Sequence, residues 1–170
     1  MSEFQKLELK DFAPNPFDAI GKDWMLITAK KGEKVNTMTA SWGGMGVLWG
    51  HNVVYVFIRH SRYTKEFVDA ADTFSLTFFD TDKYRKAMSY LGTVSGRDED
   101  KITKAELTVK EEAGTPYFAE AKTVLLCKKL SCHFIAPEGF IDETIDGRWY
   151  ADQDYHDMYV AEITQVLEKR

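Results

Sequence analysis

The stretch Asn36–Gly50 constrains this chain more than any other. Residues 37–42 carry two threonines, a serine and a terminal tryptophan, which suit a pleated, half-buried strand. Gly43, Gly44, Gly46 and Gly50 then fall within eight residues, beside Trp42 and Trp49. Glycine lets the backbone take positive φ and lets a ligand approach the main chain closely. The run therefore reads in two ways. It is either a glycine-rich hairpin loop whose tryptophans enter the core, or a ligand loop whose NH groups and hydroxyls face a flat, polar-edged ring.

The flanks favour β structure. Residues 24–29 read as a buried strand, and the polar turn Lys30-Lys31-Gly32-Glu33-Lys34 predicts a hairpin into 37–42. Residues 53–59, Val-Val-Tyr-Val-Phe-Ile-Arg, form the clearest strand, too short and too β-branched for a typical helix. Further strands are expected over 73–79, 122–136 (bent near Lys128 and Lys129) and 158–166. Residues 1–16 read as extended, since Pro14 and Pro16 exclude a helix interior. Helical turns are expected over 17–23 and over 137–145, the latter with Phe140 and Ile141 inward, and Asp146-Gly147 reads as a turn. Helices are expected over 65–71 with Thr64 as N-cap, over 83–91 ended by Gly92, and over 102–107. Residues 108–119 read as irregular. The sum is a mainly β fold, an antiparallel sheet or barrel with peripheral helices, rather than a βαβ fold.

At 170 residues the chain reads as one domain spanning 1–170. Hydrophobic residues make up 44% and charged residues 29%, which is globular rather than disordered composition. A net charge of -5 argues against a nucleic-acid footprint. No apolar run is long enough to span a bilayer, and residues 1–6 lack the apolar core of a signal peptide. Cys127 and Cys132, the only cysteines, sit on one predicted strand at an odd spacing that turns them to opposite faces. They read as reduced thiols in a cytoplasmic protein, and no His or Cys pair has metal-site spacing.

Three stretches carry candidate chemistry. Arg59-His60-Ser61-Arg62-Tyr63-Thr64 puts two guanidinium groups and two hydroxyls before a helix N-terminus, which suits a phosphate monoester or a capped helix with surface arginines. Ser95-Gly96-Arg97-Asp98-Glu99-Asp100-Lys101 offers a second anion site, or acids that cap the next helix and pair with Lys101. Asp152, Asp154, His156 and Asp157 cluster before the last strand, where the carboxylates would favour a charged imidazole if they come close. No GxSxG, HExxH, GxGxxG or GxxxxGK[ST] is present.

Asn36-Thr37-Met38-Thr39-Ala40-Ser41-Trp42, Arg59-His60-Ser61-Arg62-Tyr63-Thr64, Ser95-Gly96-Arg97-Asp98 with Lys101, and His156 to Ile163, in this order and spacing, resemble the flavin reductase-like family of FMN-binding split β-barrels. The likeness runs from about Trp24 to Val166, and the insertion over 83–107 is similar to the flavoredoxin-like members. It implies a six-stranded antiparallel Greek-key split barrel that dimerises and holds FMN near the subunit interface. It implies that Thr39, Ala40, Ser41 and Trp42 line the isoalloxazine, with Asn36 and Trp49 near the ring. Ser61, Arg62 and Thr64 would meet the phosphate, with Arg59 close by and Lys101 a further phosphate or ribityl contact. His156 would border the space where a nicotinamide or other donor stacks, as the candidate catalytic residue.

Flavin carries the redox chemistry in such a protein, and the chain supplies binding, orientation and electrostatics. The implied activity is an FMN-dependent oxidoreductase taking electrons from NAD(P)H or a small redox protein. A non-enzymatic FMN or haem-type binding or electron-carrier protein on the same barrel is the competing expectation.

Overall fold

A computed structural model describes residues 3–170, so the reading of residues 1 and 2 lies outside the described residues. Ten strands form: β1 (Phe4–Leu7), β2 (Met25–Lys31), β3 (Lys34–Ala40), β4 (Gly43–Leu48), β5 (His51–Arg59), β6 (Thr73–Phe78), β7 (Val109–Glu112), β8 (Thr115–Phe118), β9 (Thr123–Phe134) and β10 (His156–Lys169). Four α-helices accompany them: α1 (Tyr63–Ala70), α2 (Thr81–Thr93), α3 (Lys101–Lys104) and α4 (Thr144–Trp149). Eight strands make one antiparallel sheet in the order β3-β2-β6-β9-β10-β5-β4, with β1 on the far end of β10, and β7-β8 form a separate hairpin. The mainly β, antiparallel reading holds. The described residues hold ten strands rather than six, because the irregular stretch 108–119 is a hairpin, the glycine run forms β4 and the leading segment contributes β1.

The two ends of the sheet path are neighbours in sequence. Only Ser41 and Trp42 separate β3 from β4, and three residue steps reach at most about 11 Å. The sheet must therefore curl until its edges meet, yet among the described residues no ladder joins β3 to β4. This is an open seam rather than a closed barrel.

The curl holds one core: Met25, Ile27, Phe67, Phe74, Leu76, Leu125 and Tyr159 are fully or almost fully buried in it. A second cluster, with Leu26, Met88, Leu91, Phe118 and Leu126, lies outside the sheet under α2 and the β7-β8 hairpin. Both faces of β2 are thus covered, which is why residues 25–29 are all buried without alternation, Thr28 sharing a hydrogen bond with Thr37. Each such large side chain contributes about 1.5–3 kcal/mol through burial.

The glycine run is a strand, not a loop. Gly44 lies opposite Tyr55, and a Cβ on Gly44 or Gly46 would rest 3.5–3.6 Å from that ring. The tyrosine supplies the packing surface that the glycines lack. At Gly43 a Cβ would come within 2.8 Å of the Tyr55 carbonyl oxygen, so no side chain fits. The turn is Trp49-Gly50, both at positive φ (52° and 77°), as a two-residue hairpin requires.

Helix α2 does not stop at Gly92. It runs on to Thr93, because Gly92 is there for close approach: its Cβ would lie 3.1 Å from Thr39 Cβ. Thr64 is not the cap of α1, which begins a residue earlier; it is buried and accepts a hydrogen bond from Asn36 Nδ2 at 2.9 Å. Asp100 does cap α3, accepting from Thr103 N. Lys101 turns inward instead of pairing with those acids. Phe140 stacks on Tyr150, but Ile141 is fully exposed and Asp146-Gly147 lies inside α4. The long strand β9 is interrupted where Leu130 bulges out of its ladder with β10, one residue past the expected bend. Cys127 is buried and Cys132 exposed, and both are unbridged.

Candidate functional site

The seam opens into a cleft of about 240 Å³, lined by Met38 to Trp42 from the end of β3, Phe57 and Arg59 from β5, Arg62, Trp149 and His156. Register assembles it. His156 is paired with Arg59, and Met158 with Phe57, across the β10-β5 ladder. Phe57 and Arg59 share a face by the two-residue period of a strand. Thr39 is fixed from behind by donating to the Met88 carbonyl of α2 at 2.5 Å.

One wall is aromatic. Trp42 meets Trp149 edge to face at 5.1 Å and lies 5.3 Å from the His156 ring, and Phe57 meets His156 edge-on at 6.5 Å. The two tryptophans remain 41% and 43% exposed, so their faces are available to a further ring. Arg59 holds the opposite lip. It donates to the carbonyls of Asp154 (2.8 Å) and Trp149 (2.9 Å) and stacks over Tyr150, which ties the 149–154 segment to β5.

The charge in the site is unbalanced. Arg62 Nη1 donates to Gly92 O at 2.9 Å, and Lys101 Nζ donates to Leu91 O and Val94 O at 2.9 and 2.8 Å. Both cations thus sit on the negative, C-terminal end of α2. Among the described residues neither forms an ion pair with a carboxylate. Burial pulls the Arg62 guanidinium below its ordinary range; Asp154 opposes this and Arg59 reinforces it. Burial, reinforced by Arg62, pulls Lys101 down to about 8. A half-buried guanidinium and a buried ammonium depressed in this way gain from any anion brought beside them.

His156 is 7% exposed and its Nδ1 lies 2.8 Å from the Tyr150 hydroxyl. Burial first, and Arg59 second, pull its pKa down to about 4; Asp154 opposes them too weakly. The expectation of a charged imidazole is corrected: the ring is neutral at physiological pH. Tyr150, itself raised by burial, keeps its proton and shares this hydrogen bond with Nδ1.

The structure brings Thr39, Ala40, Ser41, Trp42, Arg59, Arg62 and His156 into one cleft. Asn36 and Lys101 line a neighbouring groove of about 610 Å³ between the β2-β3 turn and α3. Thr64 supports Asn36 from the core. Ser61 is engaged by Asp154, whose carboxylate accepts from the Ser61 backbone N at 3.0 Å and from its hydroxyl. Trp49 sits at the tip of the β4-β5 hairpin, 60% exposed and outside the cleft lining. Sequence reasoning missed Met38, Phe57, Trp149 and the Tyr150 support. Phe57 carried a signal, its two-residue offset from Arg59; Trp149 carried none, since only the fold brings α4 to the seam.

Comparison with known proteins gives the same fold. The chain is similar to an FMN-binding domain of flavin reductases-like enzyme from Shewanella baltica, at TM-score 0.70 and 16% identity over 98% of this chain and 77% of that one. It is similar to flavoredoxin from Methanosarcina acetivorans at TM-score 0.67 and 21% identity, over 87% and 69% of the two chains. It is also similar to a Streptomyces globisporus NADH:FAD oxidoreductase at TM-score 0.62 and 16% identity, over 86% and 75%. No curated protein matches. The flavin reductase like domain matches residues 17–170, from the turn before β2 through the whole of β10, and this chain belongs to that family.

Proposed function

We propose that the cleft binds FMN and that the protein is an FMN-dependent oxidoreductase passing electrons from NAD(P)H or a small redox donor to an acceptor. The observation that carries this reading is the pairing of an aromatic wall, Trp42 with Trp149 and His156, with a half-buried guanidinium, Arg62, that no carboxylate ion-pairs directly. A flat ring joined to an anion satisfies both. The similar structures, an FMN-binding domain, a flavoredoxin and an NADH:FAD oxidoreductase, support the same reading.

The donor set fits FMN in this form. Thr39, Ala40, Ser41 and Trp42 would hold the ring at the seam, and Arg62, with Arg59 beside it and Lys101 behind, would hold the phosphate. The flavin, when bound, supplies hydride and electron transfer. The chain's own groups orient and shield. Trp42 and Trp149 would limit water at the ring, and the neutral His156 would border it without adding charge. No carboxylic acid lines the cleft, and hydride uptake requires none. FMN is favoured over FAD because the chain has no dinucleotide fingerprint. We also propose a cytoplasmic homodimer. The exposed hairpin tip with Val47 and Trp49 supports a second copy, and light scattering of the flavin-bound protein at micromolar concentration tests it.

The deciding experiment is the visible spectrum of the purified protein, followed by mass analysis of released cofactor and assay of NAD(P)H oxidation. A yellow protein releasing FMN and oxidising NADH or NADPH is expected. Release of FAD alone, or no flavin after reconstitution, rejects the reading.

A further inference from the structure

We propose that Asp154 is a specificity residue that limits how strongly the site prefers a phosphorylated flavin over its unphosphorylated form. The inference rests on the cleft being a phosphorylated-flavin site, and it adds a role for a residue that neither the motifs nor the family match assigns.

The argument starts from Ser61. Its backbone N–H and hydroxyl are the donors that precede α1, and α1 has no side-chain cap of its own. Both donors are already used by the two carboxylate oxygens of Asp154. The carboxylate is held there by several restraints. Arg59 Nη1 binds the Asp154 carbonyl at 2.8 Å, His60 N donates to Tyr155 O at 3.1 Å, and Asp154 N donates to Asp152 Oδ1 at 3.1 Å. A fixed negative charge therefore stands beside Arg62, the cation proposed for the phosphate.

An arriving phosphate has two courses. It displaces Asp154 from Ser61, which costs the existing charge-assisted bonds, or it binds Arg62 next to a like charge. Either course penalises the dianionic ligand and leaves an uncharged ribityl end untouched. Asp154 thus lowers the ratio of FMN to riboflavin affinity. Flavin is held firmly enough to work but is not selected by phosphate alone.

Asp154→Asn tests this. It keeps the shape and an acceptor for Ser61 N and removes the charge. Dissociation constants for FMN and riboflavin are measured by fluorescence quenching at fixed ionic strength, with Tm and riboflavin affinity reporting that the variant is folded. FMN is expected to tighten at least tenfold while riboflavin moves less than twofold. Glu138→Gln serves as a charge-matched control, because Glu138 is exposed and lines no part of the cleft; it should shift the ratio less than threefold. An unchanged ratio in Asp154→Asn, or an equal shift in Glu138→Gln, overturns the proposal. The two readings fail distinguishably. If native protein binds FMN, and Arg62→Ala weakens that binding, but Asp154→Asn changes nothing, only the role of Asp154 falls. If neither flavin binds the native protein, both fall.

Discussion

The neutral state of His156 has a measurable consequence for stability. The imidazole is held near pKa 4 in the fold against 6.5 for an ordinary histidine, with burial as the main cause and the Arg59 charge as the second. Its folded pKa is depressed, so the unfolded chain binds the proton more readily. Above pH 6.5 the ring is neutral in both states and costs nothing. Between pH 6.5 and about 4 the unfolded chain takes up a proton that the fold refuses, and stability falls with pH. The interval, at about 1.36 kcal/mol per pH unit, gives at most about 3 kcal/mol, and water in the open cleft reduces this to about 1–2 kcal/mol. Carboxylates titrate in the same range, so the measurement is a difference. Urea unfolding of native protein and His156→Gln, at pH 7 and pH 4.5, should show the native protein losing about 1–2 kcal/mol more than the variant. Histidine NMR titration gives the pKa directly. A His156 pKa of 6 or above, or identical pH slopes in the two proteins, would refute the reasoning and restore a charged imidazole to the site.

Four further substitutions probe the same assembly. Arg62→Ala should weaken FMN at least tenfold by removing a charge-assisted bond of about 1.5–3 kcal/mol, with riboflavin nearly unaffected; equal losses for both would show that Arg62 does not read the phosphate. Thr64→Val strands the buried Asn36 Nδ2 and should cost about 1–3 kcal/mol in denaturant unfolding, and a change under 0.5 kcal/mol would mean Asn36 finds another partner. Gly43→Ala forces a Cβ to 2.8 Å from Tyr55 O and should lower stability by about 1–3 kcal/mol, whereas Gly44→Ala, in ordinary contact with the Tyr55 ring, should cost less.

Local signals made the central strands and most of the cleft legible. The β-branched run of β5 and the apolar β2 are strands for reasons contained in a few residues. The segment Thr39–Trp42, the two arginines and His156 are legible because motif order preserves what the fold brings together in one cleft. Other features depend on partners far away in sequence. The glycines of β4 pack under Tyr55, and Gly92 lies inside α2 where the helix approaches Thr39 so closely that a Cβ would sit 3.1 Å from Thr39 Cβ. Asp154 reads as one more acid in a polar loop until pairing of β10 with β5 carries it across 93 positions to Ser61. The His156 protonation state was misread for a related reason: nearby acids in sequence suggested a charge, while burial and cross-strand Arg59 decide it.

The place of β10 also governs when the site comes into being. It is the strand between β9 and β5, and it also takes β1 on its far end. Before it docks, the chain holds two separate sheets, β3-β2-β6-β9 and β4-β5, with half the cleft on each. The β10-β5 ladder joins residues roughly 100 positions apart, so its formation carries a larger loop-closure entropy than that of the β9-β10 ladder. A ligand that needs both halves gains nothing until that step is complete. Its contacts are absent from the folding barrier and present in the native state. Flavin should therefore slow unfolding while leaving the folding rate almost unchanged, so the bound cofactor would act chiefly as a lock on persistence.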